Sequence, residues 1–315
     1  MKPKPSVPRC GVARFRSQTA LFAAFSWLLI CKNPTSAQWL RQNSNTDASF
    51  RAVCAVSEST CWVGGSKGTL LRTTDGGKTW EPKRIPGTEA LDFRDIHAFS
   101  ANVAVAMSAG EASEGKARIY RTTDGGQTWK LVFQTTQKGV FLDGLDFWDA
   151  AHGLCFGDPV DGKFYVLTTD DGGKTWREVP RTNFPAVLPG EAAFAASGTS
   201  VVVLKNTERA WIGTGGGPFA RVFRTADRGR TWQVAQTPMP ASASSGIFGL
   251  RFWSEQGGVA VGGNYEAERD SMFNVMRTGD GGKKWRATGP MRPGGLKEGV
   301  AVLGKRLVAV GPSGT

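Results

Sequence analysis

Two histidines, three tyrosines and five cysteines in 315 residues leave little material for metal or nucleophile chemistry. The histidine count excludes a His-rich metal centre, and the five scattered cysteines do not make a four-cysteine zinc site. Long apolar runs are missing too. The clearest, ALFAAFSWLLIC over residues 20–31, is about a dozen residues long, short of the roughly 20 that a spanning helix needs. Against these shortages stand 41 glycines and 11 tryptophans. Glycine breaks helices and serves turns, so the composition argues against a helical bundle and for short strands joined by tight turns.

Residues 1–37 read as a Sec signal peptide. Lys2, Lys4, Arg9, Arg14 and Arg16 precede the apolar run, and PTSA places small residues at a cleavage point after Ala37. Ile30 is too bulky for a lipoprotein site at Cys31, and no Arg-Arg pair indicates twin-arginine export. The expected mature chain is 38–315, periplasmic or extracellular, with no integral membrane segment. Cleavage removes six basic residues and no acidic one, halving the formal charge from +12 to +6. The remaining basic residues are interleaved with Asp and Glu, which argues against a nucleic-acid partner.

A repeat dominates the rest. RTTDGGKTW ends at Trp80, RTTDGGQTW at Trp129, TTDDGGKTW at Trp176, RTADRGRTW at Trp232 and RTGDGGKKW at Trp285, with tryptophan spacings of 49, 47, 56 and 53. Before each box lie runs of β character, such as FRAVCAV, CWVGG and TLLRTT, and a further run such as KLVFQ follows the tryptophan. Four antiparallel strands every 45 to 55 residues make one propeller blade. The expected fold is therefore an all-β propeller of four-stranded blades. GVAVLGKRLVAVGPSGT (299–315) repeats the first two strands of a blade, and Gln38-Trp39-Leu40-Arg41 reads as a fourth strand with no preceding three. These ends lead to the expectation of a six- or seven-bladed ring truncated at the C-terminus and closed by its N-terminal strand.

Within each box, Asp75, Asp124, Asp171, Asp227 and Asp280 are suited to accept backbone N–H groups of the following turn. Gly77, Gly126, Gly173, Gly229 and Gly282 supply positive φ, and the tryptophan offers apolar surface for packing between blades. All fifteen residues are expected to be structural. The boxes resemble Asp boxes of the BNR type, shared by sialidases, sortilin-like receptors and many bacterial secreted proteins. Over its whole mature length the chain is similar to BNR-like propellers (WD40/YVTN/BNR-like repeat proteins) related to the photosystem II stability/assembly factors; LDFRDIHAF, GDPVDGKF and LPGEAAFAASGTS look like that family as well. The resemblance implies an exported, non-enzymatic, monomeric scaffold for protein partners in the cell envelope, without cofactor. A glycan-binding or sialidase-like hydrolase is the alternative.

The alternative meets obstacles in the sequence. Arg84-Ile85-Pro86 follows the first box, whereas the sialidase pattern places it ahead of the first box. Tyr120 and Tyr165 fall in apolar third strands, leaving Tyr265 in a long loop. Asp143/Asp146 and Asp158/Asp161 have carboxylate spacings that could serve hydrolysis. GTGGGP (213–218) lacks the spacing of a dinucleotide loop. Recognition is expected on the face carrying the loops between strands two and three: 108–117, 205–220 and 262–273. Arg94, Asp95, Asp143, Asp158, Asp161 and Glu191 are the candidate binding residues at that face or the channel mouth, with Trp211 and Tyr265 as contact aromatics. Cys54 and Cys61 flank the first hairpin and are candidates for a disulfide if the register allows it.

Overall fold

The computed structural model describes residues 40–270, 273–289, 294–304, 306–312 and 314. The expected leader and Gln38-Trp39 lie outside the described residues. Each repeat folds as an antiparallel meander in simple sequential order. Blade 1 holds β1 (Phe50–Ala55), β2 (Cys61–Gly65), β3 (Leu70–Thr73) and β4 (Glu81–Pro82). Blade 2 holds β5 (Asp92–Ala98), β6 (Ala104–Ala109), β7 (Arg118–Thr122) and β8 (Lys130–Gln134). β9 (Leu142–Phe147), β10 (Gly153–Val160), β11 (Lys163–Thr169) and β12 (Arg177–Glu178) form blade 3. β13 (Val201–Val203), β14 (Ala210–Gly213), β15 (Arg221–Thr225) and β16 (Gln233–Gln236) form blade 4. β17 (Ser245–Phe252), β18 (Gly258–Asn264), β19 (Val275–Thr278) and β20 (Arg286–Ala287) form blade 5, and β21 (Gly299–Leu303) pairs with β22 (Arg306–Val310) in a two-stranded sheet. Five four-stranded blades in a ring make a β-propeller. The expected closure is not seen among the described residues: Leu40 and Arg41 form no strand, and β21 and β22 pair only with each other.

Each box occupies the turn between the third and fourth strands, and its hydrogen bonds explain its residues. In blade 1, Thr73 Oγ1 donates to Asp75 Oδ1 at 2.8 Å and accepts the Gly77 N–H at 2.9 Å. The other carboxylate contacts come from Thr79, through its N–H at 3.0 Å and its hydroxyl at 2.6 Å. The same clamp joins Thr122 to Asp124, Thr169 to Asp171, Thr225 to Asp227 and Thr278 to Asp280. The hydroxyls of Thr79 and Thr128, followed by the N–H groups of those residues, hold Asp75 and Asp124 down at about 2, so both stay ionised through the neutral range. In the fourth box Arg228 stands where the others have a first glycine, and it adopts the same left-handed backbone at φ 56°.

Tryptophans carry the packing from blade to blade. Trp62 of β2 stands edge-on to Trp129 of the next box at 5.9 Å and donates Nε1–H to Ser100 O. Trp211 of β14 stacks on Phe252 of β17 at 3.6 Å and donates to Gly281 O in the fifth box. The innermost strands are also stitched in sequence: Ala98 N–H donates to Cys54 Sγ, Leu145 N–H to Asp95 Oδ2 at 2.7 Å, and Val203 N–H to Asp146 Oδ2 at 3.0 Å. Substituting Trp211→Ala removes a fully buried indole and its seam hydrogen bond. The expected cost is about 3–5 kcal/mol, read as a lower denaturant midpoint with an unchanged slope.

Candidate functional site

A recurring β-bulge builds the face opposite the boxes. In blade 2, Phe93 pairs with Ser108 and Asp95 with Met107, leaving Arg94 unpaired. In blade 3, Leu142 pairs with Gly157 and Gly144 with Phe156, leaving Asp143 unpaired. Arg51 in β1 and Phe248 in β17 occupy the same register. An extra residue in one strand of a pair re-aims its side chain and bends the strand, so four inner strands each turn one side chain out of the ladder near the loop face. The strand opposite must come close. A side chain at Gly157 would overlap Phe141 O, and one at Gly262 would overlap Gly246 O, which explains glycines in these otherwise apolar second strands.

Blade 4 has a three-residue inner strand, and the segment before it bonds to other blades. Ala193 N–H donates to Asp158 Oδ1 at 3.0 Å, and Ala195 O accepts from Arg94 Nη1 at 3.4 Å. Ser197 Oγ donates to Glu298 O, and Thr199 O accepts the Leu250 N–H at 2.7 Å. Gly198, at φ 71°, lies directly on Asp95, where a side chain would overlap the carboxylate. Residues 192–200 thus tie blades 2, 3 and 5 to the strand pair β21–β22 and cover Asp95 from the loop side.

Against this frame the expected site residues separate. Arg94, Asp143 and Asp158 come together. Arg94 donates Nε–H to Asp92 at 2.8 Å and lies over the Phe141 ring at 5.9 Å. Asp143 is 1% exposed, and its Oδ2 has no hydrogen-bond partner. Burial, then the charge of Asp158, push its carboxyl well above the ordinary range, with Arg94 opposing. Burial also pushes Asp158 up, to about 6, against the Ala193 N–H and with Glu111 adding to the rise. Asp95 is buried as well, but its carboxylate is committed to the Leu145 and Ile96 N–H groups and serves the stitch between blades.

The remaining candidates have other roles. Glu191 is a buried structural anion: it accepts from Arg221, from Thr214 Oγ1 at 2.7 Å and from the Leu188 N–H at 2.9 Å. Trp211 belongs to β14 and is 1% exposed, so it is no loop contact; residues 205–220, read as one loop, contain that strand. Asp161 sits at positive φ in the β10–β11 turn and pairs with Arg181 at 3.0 Å, away from the cluster. Tyr265 is 48% exposed and meets Phe194 edge-on, Phe194 in turn stacking on Phe248 at 4.2 Å. Cys54 and Cys61 are free thiols, because the hairpin pairs Cys54 with Trp62 and Cys61 with Ala55, on opposite faces.

Sequence reasoning missed Asp92, Phe141 and the Arg221 partner of Glu191. The repeated pattern FRAV, FRDI, LDGL and IFGL, with the bulged residue second, was the signal available for the bulge. Asp146 is occupied by His97 at 3.2 Å, by Lys205 and by the Val203 N–H; although burial pushes it up, the His97 hydrogen bond and the Lys205 charge bring it to about 2. Tyr165 is buried and its hydroxyl is pushed up to about 12. A cleft of about 720 Å³ opens at the seam of blades 3 and 4. There Thr168 replaces the third-strand arginine that crosses other seams, as Arg121 does to Gly172 O. Among the described residues no group of three or more His, Cys, Asp or Glu side chains is arranged for a metal ion, and no helix is long and apolar enough to cross a membrane.

Fold and repeat together define a BNR-type β-propeller, one that resembles the photosystem II assembly factors. The family model described as "Photosynthesis system II assembly factor YCF48" matches residues 31–137. The photosystem II assembly lipoprotein Ycf48 of Picosynechococcus is 34% identical over 82 residues, which is 24% of this chain and only about a quarter (24%) of that protein's length. Among solved structures, YCF48 from Cyanidioschyzon merolae shares 19% identity with a TM-score of 0.44, over 80% of this chain and 89% of that one. A GH74 enzyme from Niastella koreensis has the same fold at 13% identity and a TM-score of 0.52, over 76% of this chain and 38% of that one.

The titration of Asp158 provides a test of the site's geometry. Its carboxyl is raised from 3.8 to about 6. Its contribution to stability is therefore complete below about pH 4 and is lost as the pH rises through 6. The Asp158→Asn variant is expected to flatten the stability profile between pH 4 and 6, measured by denaturant unfolding, and the wild-type carboxyl carbon to titrate near 6 by NMR.

Proposed function

We propose that the mature chain is an exported, non-enzymatic propeller that binds protein partners in the cell envelope and helps assemble a complex. The observation that carries this reading is the match of residues 31–137 to an assembly-factor family, joined to a rigid ring whose inner strands aim charged side chains at one face. Support from geometry lies in Arg94, Asp143 and Asp158, which gather there beside residues 192–200. The basic N-terminus and apolar run over residues 20–31 support export, with cleavage after Ala37. The photosynthetic complex named for the relatives belongs to those proteins; for this chain the proposed partner is an envelope protein.

An affinity-tagged mature chain should retain a defined envelope protein from a solubilised membrane fraction. The same preparation should leave a glycan array and a panel of chromogenic glycosides untouched. Capture of no protein, with binding to or turnover of a glycan, would overturn the scaffold reading in favour of the glycan-active alternative.

A further inference from the structure

We propose that the Asp92–Arg94–Asp143–Asp158 cluster at the mouth is a receptor for a lysine ammonium group carried by the protein partner. The inference rests on the scaffold reading and specifies its contact chemistry.

The cluster has more acceptors than the fold uses. Asp143 is almost wholly enclosed, yet its Oδ2 receives no hydrogen bond. Asp92 gives Oδ2 to Arg94 and likewise leaves a buried Oδ1 without a partner. Asp158 accepts the Ala193 N–H on Oδ1. A buried acceptor left unsatisfied is costly, so two such oxygens beside one guanidinium favour a further donor at this place. Asp92 bonds Arg94, Asp143 feels both Arg94 and Asp158, and exposed Glu111 acts on Asp158 from the neighbouring loop. The excess charge is negative, so the missing donor is a cation.

The form of the site favours ammonium over guanidinium. The unpaired oxygens belong to separate carboxylates, which suits a compact charge with three rotatable donors better than a planar fork that needs both oxygens of one group. Arg94 already lies over Phe141. Asp92 and Arg94 are each more than a fifth exposed at the side chain, so a flexible four-carbon stem can approach from solvent.

Binding is coupled to protons. Asp143 faces Asp158 from β10 and Arg94 from β5, and its charge also reaches the Cys155 thiol. Burial opposes charge on Asp143, and a cation seated beside it favours proton release. Affinity therefore rises with pH.

The test titrates the mature chain with a capped pentapeptide holding one lysine among four glycines, and with its norleucine counterpart, followed by amide NMR shifts at pH 5 and pH 8. The lysine peptide should perturb residues 92–95, 141–144 and 157–159, bind more tightly at pH 8, and lose at least tenfold in affinity in Asp143→Asn and Asp158→Asn. The norleucine peptide should not bind. Equal binding of both peptides, or unchanged affinity in the two folded variants, overturns the proposal. If an envelope protein is captured equally well by wild type and Asp143→Asn, this site is wrong while the scaffold reading stands.

Discussion

Every blade depends on one hydrogen-bond clamp, in which a threonine hydroxyl at the end of the third strand donates to the box aspartate and accepts the glycine N–H four residues on. The turn would otherwise hold several backbone donors with no strand partner. By satisfying them locally, the clamp lets the chain reverse and deliver a tryptophan to the start of the fourth strand. The ring follows from this. A four-stranded meander has two faces to cover, and tryptophans such as Trp232 and Trp285 are buried in the seams where successive blades meet. In the fifth box Lys284 stands where the others have threonine, and only its backbone N–H contributes to the clamp.

Because the clamps fix one end of each blade, variation collects at the other. There the bulges in β1, β5, β9 and β17 turn one residue per inner strand out of the ladder. The residue type at that position differs while its geometry repeats: arginine twice, aspartate once, phenylalanine once. A rigid frame presenting a changeable ring of side chains is an arrangement on which binding sites are commonly built. Residues 192–200 narrow the ring to one side, burying Asp95 under Gly198 and leaving Arg94, Asp143 and Asp158 as the charged group at the mouth.

The fold was legible because its signals are local. A spacing of about 50 residues, an aspartate, a glycine and a tryptophan define the turn without reference to anything distant. Long-range pairing was much less legible. Glu191 reads in the sequence as a binding residue at the mouth, but its partner Arg221 lies 30 residues on, in β15, and the sequence does not show that pairing. Trp211 reads as a loop aromatic in the sequence because blade 4 has a three-residue first strand, too short to announce the strand after it. A bridge between Cys54 and Cys61 depends on the hairpin register, which the sequence does not show and which sends the two to opposite faces. Arg94 and Asp143 share a place in the repeat and were legible through it, whereas Asp158 of β10 stood out only by its spacing from Asp161.

On the proposed function, partners engage the bulged mouth and leave the box turns free. Hydrogen–deuterium exchange on the mature chain, alone and with its captured envelope partner, tests this directly. The account predicts added protection over residues 92–95, 141–144, 157–160 and 193–195, with exchange at the box turns 75–79, 124–128 and 171–175 unchanged. Protection confined to the box turns, with the mouth unaffected, would contradict it.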